Sequence, residues 1–419
     1  MINTNNIKDF VDNIEINRLK KDYNDNKIIF EIVGNFIKKY KLILYGGYAL
    51  NLILPENKKI YKSYTQADYD CYSYDAKKHA IMLANILKKK KYKLIKLKLA
   101  KHENTFKLYI GTLNVLDITQ IDKIIFNILI DIHKYEKYND KIKHYNDNYN
   151  IVPLYLLKRN MHYELARPEG SYFRWEKVKT RFDILNEVYF KKKFKKNKEN
   201  YIKIPQDWNN CINLILNYIK KNKHPIIDNY AIKFLLNIKD KNCCRINKFS
   251  NFLVILSKNY IKTTNELLKI IKNNIDKKKY NIIKLNKNID TSIDILSDRV
   301  RIVIENKITK ERISLLSIVK VSGNCYSTKI INGFTIGSID TILCFLYSYY
   351  LTYLITKYIN YRHNTVLEDT QEYIDLYENI INKISLKERL SVECYGREIT
   401  NNDIYKKNWD KKLSILKIN

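Results

Sequence analysis

The chain has 419 residues, which is long for one compact core and favours two domains. Its 76 lysines and arginines outnumber 44 aspartates and glutamates, giving a formal net charge of +32, so nucleic acid or an anionic membrane surface is the expected partner. The most apolar run, 342–356, is shorter than the roughly 20 residues of a membrane span, which excludes a transmembrane protein.

The cysteines and the amino terminus indicate a soluble protein of a reducing compartment. Seven cysteines include no CxxC pair, which argues against a disulfide framework and against a zinc site. The adjacent Cys243 and Cys244 are predicted to be buried or half-buried thiols. The initial residues, MINTNNIKDF, lack the apolar stretch of a signal peptide.

Hydrophobic periodicity predicts an α/β (α+β) protein. A polar amino-terminal segment, 1–26, is predicted to form a short helix with a loose end and precedes an amphipathic helix at 27–40. A strand at 41–45 then leads through a Gly46-Gly47 turn into a helix at 48–54, an arrangement that aims backbone N–H groups at a bound phosphate. Further strands are predicted at 67–73, 93–99, 105–110 and 113–119, and further helices at 76–91, 154–166 and 174–190.

A basic stretch, KKKFKKNKEN, is predicted to link two domains. The predicted division is an amino-terminal segment 1–26, a first domain 27–190, a basic linker with a connecting helix 191–225, and a second domain 226–419. In the second half, helices are predicted at 210–220, 229–238, 338–358 and 371–384, and strands at 302–304 and 313–321.

Asp68 and Asp70 are two residues apart in the predicted strand 67–73, so both carboxylates are expected on one face. Like charges at this spacing repel, and a divalent cation between them removes the conflict. Phosphoryl-transfer enzymes use two such ions, roughly 3.5–4 Å apart, and Mg²⁺ prefers oxygen ligands of this kind. A D-x-D pattern alone is common, and the alternative is a solvated loop edge.

Asp117 lies in the apolar segment NVLDI and is the predicted third metal ligand, because a lone buried carboxylate is costly without a partner. The same group is a candidate general base for an attacking hydroxyl. Asp122 and Asp131 are rival third carboxylates, and both rank lower because they fall in segments predicted to be helical.

The series YGGYALN, DYDCYS and VLDIT resembles the nucleotidyltransferase superfamily that includes DNA polymerase β. The resemblance implies that the backbone of Gly46 and Gly47 contacts a nucleoside triphosphate. It also implies that Asp68, Asp70 and Asp117 hold the metal ions, Mg²⁺ or alternatively Mn²⁺.

Longer motifs narrow the resemblance to the poly(A) polymerase catalytic subunits of poxviruses and giant DNA viruses. ELARPEG at 164–170 and RWEKVKTR at 174–181 are similar to that family, as are GFTIGSIDTILCFLY at 333–347 and VECYGR at 392–397. The resemblance implies a catalytic nucleotidyltransferase domain at 27–190. It also implies a degenerate nucleotidyltransferase-like domain in the second half, where no Gly-Gly turn precedes a D-x-D strand.

Arg174, Lys177 and Arg181 follow i, i+3, i+7 spacing and form one basic helical face, with Trp175 predicted in the core. The family resemblance favours nucleotide binding by this face, and a solvated helix surface is the alternative. Asp340 is predicted to supply a capping charge at a helix start. Basic segments with interleaved aromatics, suited to single-stranded nucleic acid, occur at 88–98, 191–198 and 239–248.

The family resemblance implies template-independent addition of AMP from ATP to the 3′ end of viral mRNA. It implies a homodimer or a complex with a processivity factor, no membrane partner, and action in the host cytoplasm (the viral factory) and in the virion. Two alternatives stay open: nucleotide transfer to tRNA, a protein or a small molecule, and a non-catalytic RNA-binding or processivity subunit. Extension of RNA with ATP discriminates between them.

Overall fold

The computed structural model divides into two compact units by its contacts: Met1–Leu157 with Asp183–Phe190, and Lys158–Phe182 with Lys191–Asn419. It describes residues 4–403 other than 66, 101–103, 139–141, 143–144, 146–147, 191–200, 203, 228–229, 232–233, 235–245, 248–252, 288–297, 322, 361–373, 375–377, 379–388 and 401. The predicted linker 191–200, the adjacent cysteines, and most of the helices predicted at 229–238 and 371–384 fall outside the described residues. Within the described residues, no helix is long and apolar enough to cross a membrane.

The described part of the chain contains the following helices and strands, numbered in chain order. The helices are α1 (Thr4–Lys39), α2 (Gly46–Ile53), α3 (Ala76–Lys89), α4 (Lys123–Tyr138), α5 (Leu154–Leu165), α6 (Pro168–Ser171), α7 (Trp175–Tyr189), α8 (Asn209–Lys221), α9 (Tyr260–Asn274) and α10 (Ile339–Asn360). The strands are β1 (Ile43–Tyr45), β2 (Tyr69–Ser73), β3 (Ile95–Leu99), β4 (Thr105–Ile110), β5 (Leu113–Gln120), β6 (Asn150–Ile151), β7 (Tyr201–Ile202), β8 (Ile246–Asn247), β9 (Leu253–Ser257), β10 (Tyr280–Lys287), β11 (Arg299–Asn306), β12 (Arg312–Lys320), β13 (Cys325–Ile331), β14 (Phe334–Gly337) and β15 (Cys394–Gly396). Single 3₁₀ turns occupy Glu56–Lys58, Tyr172–Arg174 and Gln206–Trp208.

The amino-terminal segment is part of one long helix. The sequence predicted a short helix within 1–26 and a separate helix at 27–40, whereas α1 is one helix that is continuous from Thr4 to Lys39. No glycine or proline interrupts the helix before Gly34, so nothing in the backbone stops it. Only its carboxy-terminal part packs in the core, where Val33 and Ile37 are fully buried.

A six-stranded sheet forms the centre of the first unit, in the order β3-β4-β5-β2-β1-β6. β2 runs parallel to β5 and antiparallel to β1, and β6 runs parallel to β1. Alternate residues of the central strands, such as Cys71, Leu116 and Ile118, are fully buried. The opposite face of the same strands carries the polar side chains of the candidate site.

The second unit repeats this sheet. Its four strands follow the order β10-β11-β12-β9, with β12 parallel to β9 and the other neighbours antiparallel, which matches β3-β4-β5-β2. Ile226 occupies the position that β1 has in the first sheet. It bridges Ile255 of β9 in antiparallel fashion and Ile336 of β14 in parallel fashion. In both sheets a register shift interrupts the pairing of the second strand with the third, β4 with β5 and β11 with β12. The predicted second domain of the same fold is confirmed.

Local details repeat as well. The turn after α1 has a positive φ of 52° at Lys41, and the turn after α8 has 51° at Lys223. Ser73 ends β2 and hydrogen-bonds His79 of α3 at 2.7 Å. Ser257 ends β9 and hydrogen-bonds Thr263 of α9 at 2.8 Å. These equivalent bonds fix the correspondence between the two sheets residue by residue.

Buried ion pairs hold the second unit together. Asp340, in the first turn of α10, accepts two hydrogen bonds of 2.7 Å from the Arg389 guanidinium and lies 2.8 Å from His162 Nδ1. Burial opposes ionisation of Asp340, but the charge of Arg389 outweighs it and lowers the pKa of the carboxyl to about 2. The predicted acidic charge at a helix start is confirmed, and Asp340 has in addition a buried ion pair that the sequence did not predict.

Cys325 of β13 and Cys394 of β15 form a disulfide, with their Cα atoms 5.5 Å apart. The expectation of no disulfide is therefore wrong for this pair. The two cysteines are 69 residues apart in sequence and meet because β13 pairs with β15, which their spacing does not reveal. Their sulfurs and a carboxylate oxygen of Glu169 lie within 4.8 Å of one another, the one such three-residue group found in the described part of the chain.

Candidate active site

The glycine pair begins α2 at the end of β1. Gly46 has φ +73°, a conformation that other residues adopt only with strain. Tyr45 occupies the N-cap position and its side chain makes no capping hydrogen bond. The backbone N–H groups of the first helical turn are therefore not capped by that residue, and together with the helix dipole they favour an anion at this end.

Asp70 lies directly against this helix start. A Cβ atom placed on Gly46 would come within 2.5 Å of Asp70 Oδ2, so any larger residue would displace the carboxylate. The pairing of β1 with β2 sets Tyr45 opposite Asp70, which fixes this contact. The glycine turn and the Asp70 carboxylate are thus adjacent, and phosphate binding by the turn stays a prediction.

Asp117 stands beside Asp70 on the neighbouring parallel strand, in the same register position. Residues in register on adjacent strands project from the same face, so the two carboxylates share one face of the sheet. Asp117 is 9% exposed, accepts a hydrogen bond of 2.9 Å from Asn114 Nδ2, and forms an ion pair with Lys107. Asn114 Oδ1 is a buried oxygen without a hydrogen-bond partner among the described residues.

Asp68 is exposed and precedes the first residue of β2. Its predicted position inside the strand is wrong, because the ladder with β5 begins at Tyr69 opposite Leu116. The carboxylate oxygens of Asp68, Asp70 and Asp117 are not among the described groups that converge within 4.8 Å. A role for Asp68 as a metal ligand stays a prediction.

Lys107 is a site residue that the sequence analysis missed. It occupies β4 directly opposite Asp117. Burial opposes protonation of Lys107, but its hydrogen bond and charge interaction with Asp117 outweigh burial and raise its pKa, so the ammonium is retained. The alternation of side chains along TFKLYI places Lys107 on the polar face of β4. This alternation is the sequence signal from which the residue could have been predicted.

Aromatic and hydroxyl groups stabilise the strands beside the carboxylates. The Tyr45 ring stacks on Tyr72 with centroids 4.3 Å apart. Its hydroxyl lies 3.0 Å from Thr119 Oγ1, which lies 2.9 Å from Thr105 Oγ1. Burial, followed by the charge of Asp70, raises the pKa of Tyr45, so this phenol stays neutral and serves as a fixed hydrogen-bonding group.

The rival carboxylates have other roles. Asp122 Oδ1 accepts hydrogen bonds from the backbone N–H groups of Ile124 at 2.7 Å and Ile125 at 3.3 Å, which makes it a cap for α4. Asp131 is exposed on α4 and pairs with Lys134 at 3.3 Å. The lower ranking of both residues agrees with these positions.

The predicted basic face belongs to the second unit by its contacts. Arg174 and Lys177 are exposed and Arg181 is half-buried. Arg174 lies 3.4 Å from Glu164. Trp175 is half-buried and donates a hydrogen bond of 3.0 Å to the Glu164 carbonyl, so its predicted core position is wrong. Nucleotide binding by the three basic residues stays a prediction.

The motif ELARPEG has a structural role. Arg167 makes two hydrogen bonds, of 2.8 and 2.6 Å, to Glu398, and both side chains are buried. A Cβ atom on Gly170 would come within 2.7 Å of Glu398, so this glycine permits the close approach. The ELARPEG segment therefore packs against the residue that directly follows VECYGR in the second unit.

The second sheet has no carboxylate at the positions that correspond to Asp70 and Asp117. Val254 precedes Ser257 by the same three residues that separate Asp70 from Ser73, and its register partner is Ser317. Both side chains are at most 2% exposed. The predicted degeneracy of the second domain agrees with this replacement.

A helix that begins with a glycine pair, beside carboxylates on two adjoining parallel strands, defines a nucleotidyltransferase fold. Residues 31–168 match the family model of the poly(A) polymerase catalytic subunit. The crystal structure of the Megavirus polyadenylate synthase superposes with a TM-score of 0.73 and 18% identity, covering 99% of this chain and 84% of that one. At that identity the likeness shows the fold, and it confirms the predicted α/β class.

Two curated viral proteins are similar over shorter stretches, and both carry the name "Putative poly(A) polymerase catalytic subunit". The protein of Acanthamoeba polyphaga mimivirus is 35% identical over 98 residues, 23% of this chain and 17% of that protein. The protein of African swine fever virus is 34% identical over 100 residues, 24% of this chain and 21% of that protein. The aligned stretches thus span about a fifth of these relatives, and the resemblance to viral poly(A) polymerase catalytic subunits is confirmed.

Proposed function

We propose that the chain is a polynucleotide adenylyltransferase, which adds AMP from ATP to the 3′ end of viral mRNA without a template. The observation that carries the proposal is the register of Asp70 with Asp117 beside the Gly46 helix start. In the second unit the same fold keeps the strands and has lost both carboxylates. The match of residues 31–168 to poly(A) polymerase catalytic subunits supports AMP as the transferred group.

The start of α2 is the proposed triphosphate site. Its backbone N–H groups and the positive end of the helix dipole complement the phosphate oxygens. Gly46 allows the triphosphate and the Asp70 carboxylate to approach the same backbone. Lys107 holds Asp117 in place across the sheet through its ion pair.

Asp70 and Asp117, with Asp68, are the residues that would hold divalent cations. An all-oxygen donor set on one face fits Mg²⁺ or Mn²⁺. Asn114 Oδ1, which has no hydrogen-bond partner among the residues that the structure describes, adds a further oxygen beside Asp117. When bound, the ions would neutralise the triphosphate and activate the 3′-hydroxyl for in-line attack on the α-phosphorus. Asp117, buried and fixed by two hydrogen bonds, is placed to orient that hydroxyl.

The proposed partners follow from charge and family. A net charge of +32 attracts RNA, and its contribution to binding falls as salt rises. We place the enzyme in the host cytoplasm and in the virion, acting as a homodimer or with a processivity factor. Arg174, Lys177 and Arg181 are proposed nucleotide- or RNA-binding residues.

Incubation of the protein with a short RNA, Mg²⁺ and each nucleotide separately tests the function. Extension of the RNA 3′ end with ATP, with the other nucleotides used poorly, is the expected result. Loss of extension in Asp68→Ala, with folding retained, would support Asp68 as a ligand. If RNA stays unextended with ATP while another acceptor is labelled, the adenylyltransferase proposal is wrong.

A further inference from the structure

A cleft of about 600 Å³ lies in the first unit, between α1, α2 and the segment that leads into β2. We call it the α1 cleft and define it by Lys27 and Lys38 of α1, Tyr48 of α2, and the segment 59–65. A volume of this size is typical of sites for single small molecules or nucleotide units, and a double helix would not enter it.

The floor of the α1 cleft is formed by the half-buried Tyr48, which rests on the buried rings of Tyr69 and Tyr149. Tyr48 packs edge-to-face on Tyr69, with ring centroids 4.8 Å apart, and Tyr149 lies 6.1 Å from Tyr48. Gly34 makes room for this floor, because a Cβ there would come within 2.5 Å of the Tyr149 hydroxyl and 2.9 Å of the Tyr69 hydroxyl. Because Gly34 has no side chain, two tyrosine hydroxyls pack directly against α1.

Lysines surround the aromatic floor. Lys27, Lys38, Lys59 and Lys62 line the cleft against two glutamates, Glu31 and Glu56, so cationic groups are in excess. Lys38 Nζ lies 4.3 Å from the centroid of the Tyr149 ring. Aromatic rings framed by ammonium groups are the combination that holds single-stranded nucleic acid, since bases stack on rings while lysines contact phosphates.

The wall formed by 59–65 is pre-organised by one α2 side chain. Asn51 Oδ1 accepts hydrogen bonds from the backbone N–H groups of Ile60 at 2.9 Å and Tyr61 at 3.1 Å. Lys59 Nζ donates to the Asn51 carbonyl at 2.6 Å. A wall fixed in this way loses little conformational entropy on binding, which favours affinity.

The α1 cleft adjoins the candidate active site along the chain. Ala67 and Tyr69 line the cleft, whereas Asp70 projects from the opposite face of β2 because strand side chains alternate. A strand of RNA that reaches Asp70 with its 3′ end would pass the start of β2, where Asp68 is exposed, to reach the cleft.

From this geometry we infer that the α1 cleft binds upstream nucleotides of the single-stranded RNA acceptor, with bases on the half-buried Tyr48 and Tyr61 and phosphates on the lysines. The inference rests on the proposed function for the identity of the acceptor. It adds a binding site on the far side of β2 from the carboxylates. Its predicted contribution is to RNA affinity and not to the chemical step.

Equilibrium binding of a labelled oligoadenylate, followed by fluorescence anisotropy at several salt concentrations, tests the site. Lys27→Ala/Lys62→Ala should weaken binding and reduce the salt slope by about 1.4, because each single-strand phosphate contact contributes about 0.7. The control Lys77→Ala/Lys78→Ala removes the same charge from the exposed side of α3 and should leave the slope within experimental error. Equal effects of the two pairs would overturn the inference.

Tyr61 provides a charge-neutral test. Tyr61→Ala should weaken oligoadenylate binding by roughly tenfold, whereas Tyr61→Phe keeps the stacking ring and should bind within about twofold of the parent. If Tyr61→Ala binds normally and photocrosslinks of 4-thiouridine RNA map away from Tyr23–Lys38 and 59–65, the inference is wrong. Photocrosslinking of the unaltered protein keeps the test valid if a variant folds poorly.

Failure of this inference is distinguishable from failure of the proposed function. If RNA is extended with ATP and the cleft variants bind it normally, the cleft assignment alone is overturned. If the cleft variants lose RNA affinity as expected and the unaltered protein adds no AMP, the inference holds and the polymerase proposal fails.

Discussion

The two sheets of the molecule share strand order, direction and register and differ in the residues on one face. The first sheet sets Lys107, Asp117 and Asp70 side by side, whereas the second sets Arg301, Ser317 and Val254 at the same positions. The first sheet thus has two carboxylates and one ammonium at these positions, whereas the second sheet has two uncharged side chains and one guanidinium. The fold alone therefore does not carry the chemistry, which depends on a few side chains placed on it.

The features that both sheets retain are those that folding requires. The turns at Lys41 and Lys223 have matching φ angles, and the serines that end β2 and β9 make equivalent hydrogen bonds to the following helix. We therefore assign Ser73 and His79 to stability and not to catalysis. Burial, the dominant influence, lowers the pKa of His79, which keeps the ring neutral as a core group.

The largest predicted effect is on cation binding. Asp70→Ala should weaken Mn²⁺ binding by about 10³-fold, because one carboxylate contact near a protein surface is worth about 4 kcal/mol at 4 Å. Val254→Ala, the matched change in the second sheet, should leave binding unchanged as long as the variant is folded. Isothermal titration of both variants measures the difference, and equal Mn²⁺ affinity in the two would contradict the comparison.

Restoring a carboxylate to the second sheet should destabilise it. Val254 is 2% exposed, so Val254→Asp buries a charge without a partner and should lower the free energy of unfolding by about 3 kcal/mol. Val254→Thr, which has nearly the same shape, serves as control and should cost less. Urea unfolding measures both. An unchanged midpoint for Val254→Asp would mean that this face is open to solvent.

Substitutions at two glycines distinguish the effect of backbone strain from the effect of displacing Asp70. Gly46 and Gly111 both have positive φ, of 73° and 61°, but a Cβ at Gly111 meets nothing within 4 Å. Gly46→Ala should lower kcat about 10²-fold by displacing Asp70, whereas Gly111→Ala should change kcat less than about twofold. Steady-state kinetics with both variants checks this, and equal losses would show that strain alone is responsible.

The smallest predicted effect concerns Lys107. Its ammonium competes with a cation for Asp117, so Lys107→Met should tighten Mn²⁺ binding by roughly three- to tenfold. Lys107→Arg keeps the charge and should bind Mn²⁺ about as the parent does. Weaker binding by Lys107→Met would show that the lysine organises the site more than it opposes the cation.

Much of the first sheet was predictable from local patterns. A strand, a glycine pair and a helix leave a clear sequence signal, as does Asp117 within an apolar strand. Asp68 was placed wrongly, because the start of β2 is set by its pairing with β5 and not by the segment itself. Lys107 was missed because its role depends on a cross-strand partner ten residues away.

The repetition of the first fold in the second unit was predicted from the family resemblance and not from hydrophobic periodicity or motif spacing. LVILS at β9 and YDCYS at β2 share only the final serine, and the counterpart of β1 is the single bridging residue Ile226. The pairing of Cys325 with Cys394 and of Asp340 with Arg389 also escaped prediction. Each of these contacts joins residues far apart in sequence, where spacing carries no information.

Single-nucleotide extension of RNA with ATP, compared between Asp70→Ala/Asp117→Ala and Val254→Ala/Ser317→Ala, tests whether catalysis belongs to the first sheet. We expect the first double variant to bind RNA and to add no AMP. We expect the second, if folded, to extend RNA at nearly the parent rate. AMP addition by the first double variant, or its selective loss in the second, would contradict the assignment of catalysis to the first sheet.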